Sequence, residues 1–115
     1  VIGGLLPPEL IALVTKLASR LGEDGATLID QARSAVLTAY SPTILDVSVS
    51  ESMSSCSLPD GPIPGRAIVY DGSQVTGEIL LWVRSGRLIG LEQAWFTDEP
   101  PSVWPTAEIV RIGET

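Results

Sequence analysis

The chain has 115 residues, 7 basic against 14 acidic, no histidine and one cysteine. The resulting charge of −7, with a pI near 4.3, argues against nucleic-acid phosphates or an anionic membrane surface as partners. Without histidine there is no Ser/His/Asp triad, Cys/His pair or His-ligated metal site, and Cys56 has no cysteine to pair with inside the chain. Hydrophobic residues make up 44% and mean hydropathy is +0.29, enough apolar surface to fold. No uninterrupted apolar run reaches the roughly 18–20 residues of a membrane span. The opening Val1–Pro8 has no basic n-region of a signal peptide, so with a single cysteine the expected location is the cytoplasm.

Pro7-Pro8-Glu9 reads as a helix start, because proline is tolerated in the first turn and an acid there suits the helix dipole. Leu10, Leu13, Val14, Leu17 and Leu21 follow at three- and four-residue spacing, predicting a helix over 8–21 with Gly22 as its stop. Asp24 and Thr27 offer caps for a second helix over about 25–33, with Leu28, Ile29 and Ala32 on its apolar side. Residues 35–40 can extend that helix, but Ser41-Pro42 ends it and a strand is preferred. Ile44–Val49 alternates, with Ile44, Asp46 and Ser48 on one side and Leu45, Val47 and Val49 on the other. Residues 50–65 are rich in serine, proline and glycine and predict a long loop, functional or mobile.

Strands over 66–70, 74–83 and 87–95 follow, separated by turn signals at Asp71-Gly72 and Ser85-Gly86, and 108–112 returns as a short edge strand. The expected fold is one α+β domain over 1–115. Two N-terminal helices (about 8–33) pack on an antiparallel sheet of four to five strands (about 35–112) that ends in a C-terminal meander. A two-residue Ser85-Gly86 turn sets Val83 opposite Leu88, Leu81 opposite Gly90 and Ile79 opposite Glu92. The other face then pairs Trp82 with Ile89, Leu80 with Leu91 and Glu78 with Gln93, with Trp95 beyond. Both faces read as apolar, although two helices cover only one. Either the N-terminal arm, the 50–65 loop and the Trp104 segment fold over the second face, or that face is a partner surface. The partner surface would comprise Trp82, Trp95, Leu80, Ile89 and Leu91, rimmed by Arg84, Arg87 and Glu78.

Carboxylates are the only plausible catalytic groups. In this register Glu78 and Glu92 fall on opposite faces and make a poor acid/base pair. Glu92 falls among aliphatics on the helix side, where it suggests a ligand pocket or a weak carboxylate enzyme, with Asp98 and Glu99 as further candidate ligand groups. Cys56 has no basic neighbour in sequence to activate it, no phosphate-cradling glycine motif occurs, and no cofactor, metal or catalytic set is expected.

The run Gly77-Glu78-Ile79-Leu80-Leu81-Trp82-Val83-Arg84-Ser85-Gly86-Arg87-Leu88-Ile89-Gly90-Leu91-Glu92 continues through Trp95 and Asp98-Glu99-Pro100-Pro101 to Trp104-Pro105. It resembles the C-terminal signature of short bacterial hypothetical proteins, mostly from high-GC actinobacteria, and the leucine-rich helix Leu10–Leu21 is similar too. The resemblance implies this fold and a bacterial origin, and it implies no activity. Some of those proteins carry a cysteine cluster where this chain has Thr38-Ala39-Tyr40-Ser41-Pro42, a departure that counts against a metal-binding role here. The leading expectation is a non-enzymatic acidic protein-binding module, an immunity-type inhibitor or a small regulatory subunit steered to a basic partner. The alternatives are the Glu92 ligand pocket and a structural homodimer joined through the tryptophan face.

Overall fold

A computed structural model of the chain describes residues 2–113; Val1, the first residue of the stretch read above for a signal peptide, lies outside it. Helix α1 (Pro8–Ala18) starts on extended Pro7 with proline in its first turn and buries Leu10, Leu13, Val14, Leu17 and Ala18. A 3-10 turn, Ser19–Leu21, leads directly into α2 (Gly22–Ser34). Gly22 caps that turn at a positive φ of 63°, as the stop read there predicts, but α2 begins at the same residue, so the helical stretch runs from Pro8 to Ser34 as one bent segment in place of two helices separated by a linker. The bend folds α1 and α2 against each other, and Leu28, Gln31 and Ala32 of α2 are buried.

The sheet has seven strands, more than the four or five expected. They are β1 (Val36–Tyr40), β2 (Ile44–Ser48), β3 (Gly61–Pro62), β4 (Arg66–Asp71), β5 (Gln74–Arg84), β6 (Arg87–Trp95) and β7 (Val110–Gly113). Their order is β1-β2-β6-β5-β4-β7, antiparallel throughout, and β3 pairs with β5 at Val83 and Trp82, beyond the end of β4. The Ser41-Pro42 break and the 35–40 strand are as read from sequence, whereas the two-residue β3 carries too little pattern to be seen there.

One face of the sheet receives the helices, α2 over β6 and α1 beside β7. Leu37, Leu45, Val47, Ala67, Val69, Ile79, Leu81, Val83, Leu88, Leu91 and Val110 join the helical leucines in a single core cluster. Trp104 packs into the same cluster and donates from Nε1 to the Ser41 carbonyl at 2.8 Å, so the C-terminal segment closes the core and leaves the opposite face alone. The N-terminal arm lies along the outer edge of β1, where Leu5 bridges Val36 and Leu37 N–H donates to the Gly4 carbonyl.

The 50–65 loop is pinned at short intervals. Asp24 accepts from the Ser57 N–H and hydroxyl, Asp60 accepts from Ser85 N–H at 2.8 Å, and Cys56 N–H donates to the Gly86 carbonyl. Fully buried Gln31 donates to the carbonyls of Ser54 and Gly86 and accepts from Leu88 N–H, joining helix, loop and hairpin in one network. Buried amides without such partners cost free energy, so Gln31 is what lets this loop pack against the hairpin.

Candidate interaction face

The Ser85-Gly86 turn is the two-residue hairpin expected, with φ of 52° and 73°, both left-handed as a type I′ turn requires. Val83 stands opposite Leu88 as predicted. One residue later the register shifts. Trp82 opposes Gly90, Leu81 opposes Leu91 and Leu80 opposes Glu92, leaving Ile89 as the extra residue of a β-bulge. A side chain at Gly90 would collide with the Leu45 carbonyl of β2, so glycine is what allows β2 and β6 to approach at the bulge.

Because side chains alternate along a strand, this single extra residue exchanges the faces of everything after it in β6. Leu91 moves into the core, 2% exposed, and leaves the predicted partner surface. Gln93 takes the helix-side position predicted for Glu92, buried, and donates from Nε2 to the carbonyls of Pro42 (2.8 Å) and Val103 (3.1 Å). Glu92 instead shares the outer face with Leu80 and Ile44, so no pocket between helices and sheet contains it. Glu78 and Glu92 thus stand on one face, correcting their assignment to opposite faces. Trp95 pairs with Gly77, in phase with Gln93 and Leu91, and is 43% exposed beyond the helices. It and Trp82 belong to opposite faces.

The outer face that results has an apolar centre. Leu80, Trp82 and Ile89 are half-buried there, with Ile68 of β4 beside them and Ile44 of β2, 52% exposed, on the far side of Glu92. No helix or terminal segment among the described residues lies across its centre: the Trp104 segment closes the core, the N-terminal arm follows the β1 edge, and the 50–65 loop borders the face only at the hairpin end and as β3. Ile44, Trp82 and Ile89 line a shallow open groove of about 270 Å³ floored by Gly90, and a second open groove runs from Ile44 past Glu92 to Trp95. The cavity between α1, β3 and β4, lined by Leu17, Ile63 and Ile79, is about 90 Å³. Small-molecule pockets are usually several-fold larger, roughly 300–1,000 Å³.

Register places Arg66, Arg84, Arg87 and Arg111 on this face together with Asp46, Glu78 and Glu92. Arg66 grips Glu78 through Nε and Nη2 at 3.1 and 3.0 Å, and hydrogen bonding first, then the carboxylate's charge, raises the Arg66 pKa above its ordinary value. The Arg111 guanidinium lies 4.3 Å from the centre of the Tyr70 ring. Arg84 is exposed at the hairpin end, whereas Arg87, expected beside it on the partner rim, donates to the Glu51 and Met53 carbonyls and fastens the loop. Asp98 and Glu99 are exposed after β6, where Thr97 Oγ1 donates to the Glu99 carbonyl. Among the described residues no cluster of three or more His, Cys, Asp or Glu is placed to hold a metal ion.

Four arginines against three acids leave this face nearly balanced, while the rest of the sequence holds three basic residues against eleven acidic ones. The residues that sequence reading missed here are Ile44, Ile68, Asp46, Arg66 and Arg111. Ile44 was visible as an apolar residue in the wet phase of β2. No helix of the described residues is long and apolar enough to cross a membrane. Comparisons with protein-family models, curated proteins and solved structures gave no match to this chain.

Proposed function

We propose that the chain is a protein-binding module, without catalytic machinery of its own, whose contact surface is the outer face of the sheet around Trp82. The observation that carries this reading is the uncovered apolar centre of that face: an antiparallel sheet with one layer of helices normally presents a polar outer face, and here Leu80, Trp82, Ile89 and Ile44 stand in its place. A large aromatic set among aliphatics, with charges at the margin, is the composition of an interface anchor. An immunity-type inhibitor and a small regulatory subunit are both roles of this kind. The balanced charge of the face favours a partner that is not strongly basic at the contact, in place of the basic partner inferred from net charge alone. A ligand at Glu92 is the weaker reading, because the surrounding grooves are open shelves.

A photo-crosslinking residue tests this in cells that express the protein. Placed at Ile89 it should give a discrete protein adduct that Trp82→Arg abolishes, while the same residue at exposed Ala12 on α1 gives none. No adduct at Ile89, or equal adducts at both positions, would remove the outer face as the contact surface.

A further inference from the structure

We infer that the occupant of the outer face is a second copy of this chain, stacked sheet to sheet about a two-fold axis running along β5. This rests on the reading of that face as a contact surface, and it follows from how charge is distributed. A chain of charge −7 repels itself, yet its excess acid lies off this face, which is close to neutral. A two-fold axis along β5 lays the β4 side of one copy over the β6 side of the other. Arg66 and Glu92 both lie level with Leu80, on opposite sides of β5: Arg66 precedes Ala67, which pairs with Ile79, and Glu92 pairs with Leu80 itself. The operation therefore brings Arg66 of each copy over Glu92 of the other, twice per dimer, while Leu80 and Trp82 meet their own counterparts on the axis, as does Glu78, whose charge the Arg66 of its own copy holds in an ion pair. Pro62, paired with Trp82 from the β4 side, comes over Gly90, next to the bulged Ile89, in the same way. Arg84 lies at the hairpin rim, where its exposed side chain keeps its water. Six strands about 4.8 Å apart and about six residues long give a footprint of roughly 24 by 20 Å. That is small against the roughly 800 Å² per partner of a standard interface, so the dimer is a weak one, in the micromolar range or above.

Sedimentation equilibrium over a concentration series reads this directly. The wild type should move from 12.2 kDa toward twice that mass. Glu92→Arg, which sets arginine against Arg66, should weaken the dimer by about tenfold or more. The pair Arg66→Glu with Glu78→Arg reverses the internal ion pair while keeping it, and should weaken the dimer similarly. An equimolar mixture of the two variants makes every reversed contact complementary again and should restore association. A wild type that stays monomeric at millimolar concentration, or a dimer indifferent to both variants and to mixing, overturns the inference. An Ile89 crosslink to a different protein, with no self-adduct, would also overturn it while leaving the contact face in place; absence of any Ile89 adduct removes both.

Discussion

Neighbouring residues on β5 live in two different environments. Leu81 is fully buried under the helices, and Leu80, one position earlier, is half-buried on a face that no other layer of the described residues covers. Both are leucines in the same strand, so propensity and hydropathy do not distinguish them; only the layer above them does. The helix-covered face has solved its polar problem with buried amides, Gln31 and Gln93, each hydrogen-bonded to backbone carbonyls. The outer face keeps charged groups, Arg66, Glu78 and Glu92, around an apolar centre. The first is the chemistry of a finished core; the second leaves an apolar centre that the described residues do not cover.

The sharpest way to break this comparison is to truncate the two leucines. Leu81→Ala should cost about 2–5 kcal/mol in urea unfolding, because the cavity it leaves has no route to collapse. Leu80→Ala should cost about 1 kcal/mol or less and should act instead on association. Equal losses would mean that the outer face is covered within the monomer.

Gln31→Leu comes next. It leaves the Leu88 N–H without its acceptor and the Ser54 and Gly86 carbonyls without their shared donor, so about 2–3 kcal/mol should be lost. Amide exchange should rise at Cys56 and Leu88 and stay unchanged in β4; uniform acceleration would show that the network is not local. The smallest effect belongs to Arg66→Gln, whose partner pair is solvent-exposed. Its unfolding midpoint should stay at the wild-type value, with the change confined to the dimer. A clear shift in that midpoint would assign the Arg66–Glu78 pair to stability and not to contact.

The sequence makes the helices and the long strands legible because their signals are local: leucines at helical spacing in Leu10–Leu21, alternation in β2, and left-handed turn residues at Ser85-Gly86. The phase of β6 is not local. It goes with the close approach of β2 to Gly90, where any side chain would collide with the Leu45 carbonyl, and those residues are far apart in sequence. The resulting bulge at Ile89 moves Leu91 inward and Glu92 outward. A glycine inside an otherwise regular strand was the available sign of a bulge. Gln31 was equally hidden, since a glutamine on an amphipathic helix reads as a surface residue until loop and hairpin are brought to it. The partner surface was half legible for the same reason. Leu80, Trp82 and Ile89 precede or form the bulge and kept their face, whereas Leu91 and Trp95 follow it and lost theirs.

The three tryptophans give the most direct test, because they occupy three environments: Trp82 on the outer face, Trp95 at the sheet end in the opposite phase, and Trp104 in the core. With 5-fluorotryptophan incorporated and each resonance assigned by substitution, ¹⁹F spectra across a dilution series should show Trp82 moving with concentration and Trp95 and Trp104 holding still. Movement confined to Trp95, or a Trp82 resonance that stays fixed up to millimolar protein, would contradict a contact face centred on Trp82 and shared between copies of the chain.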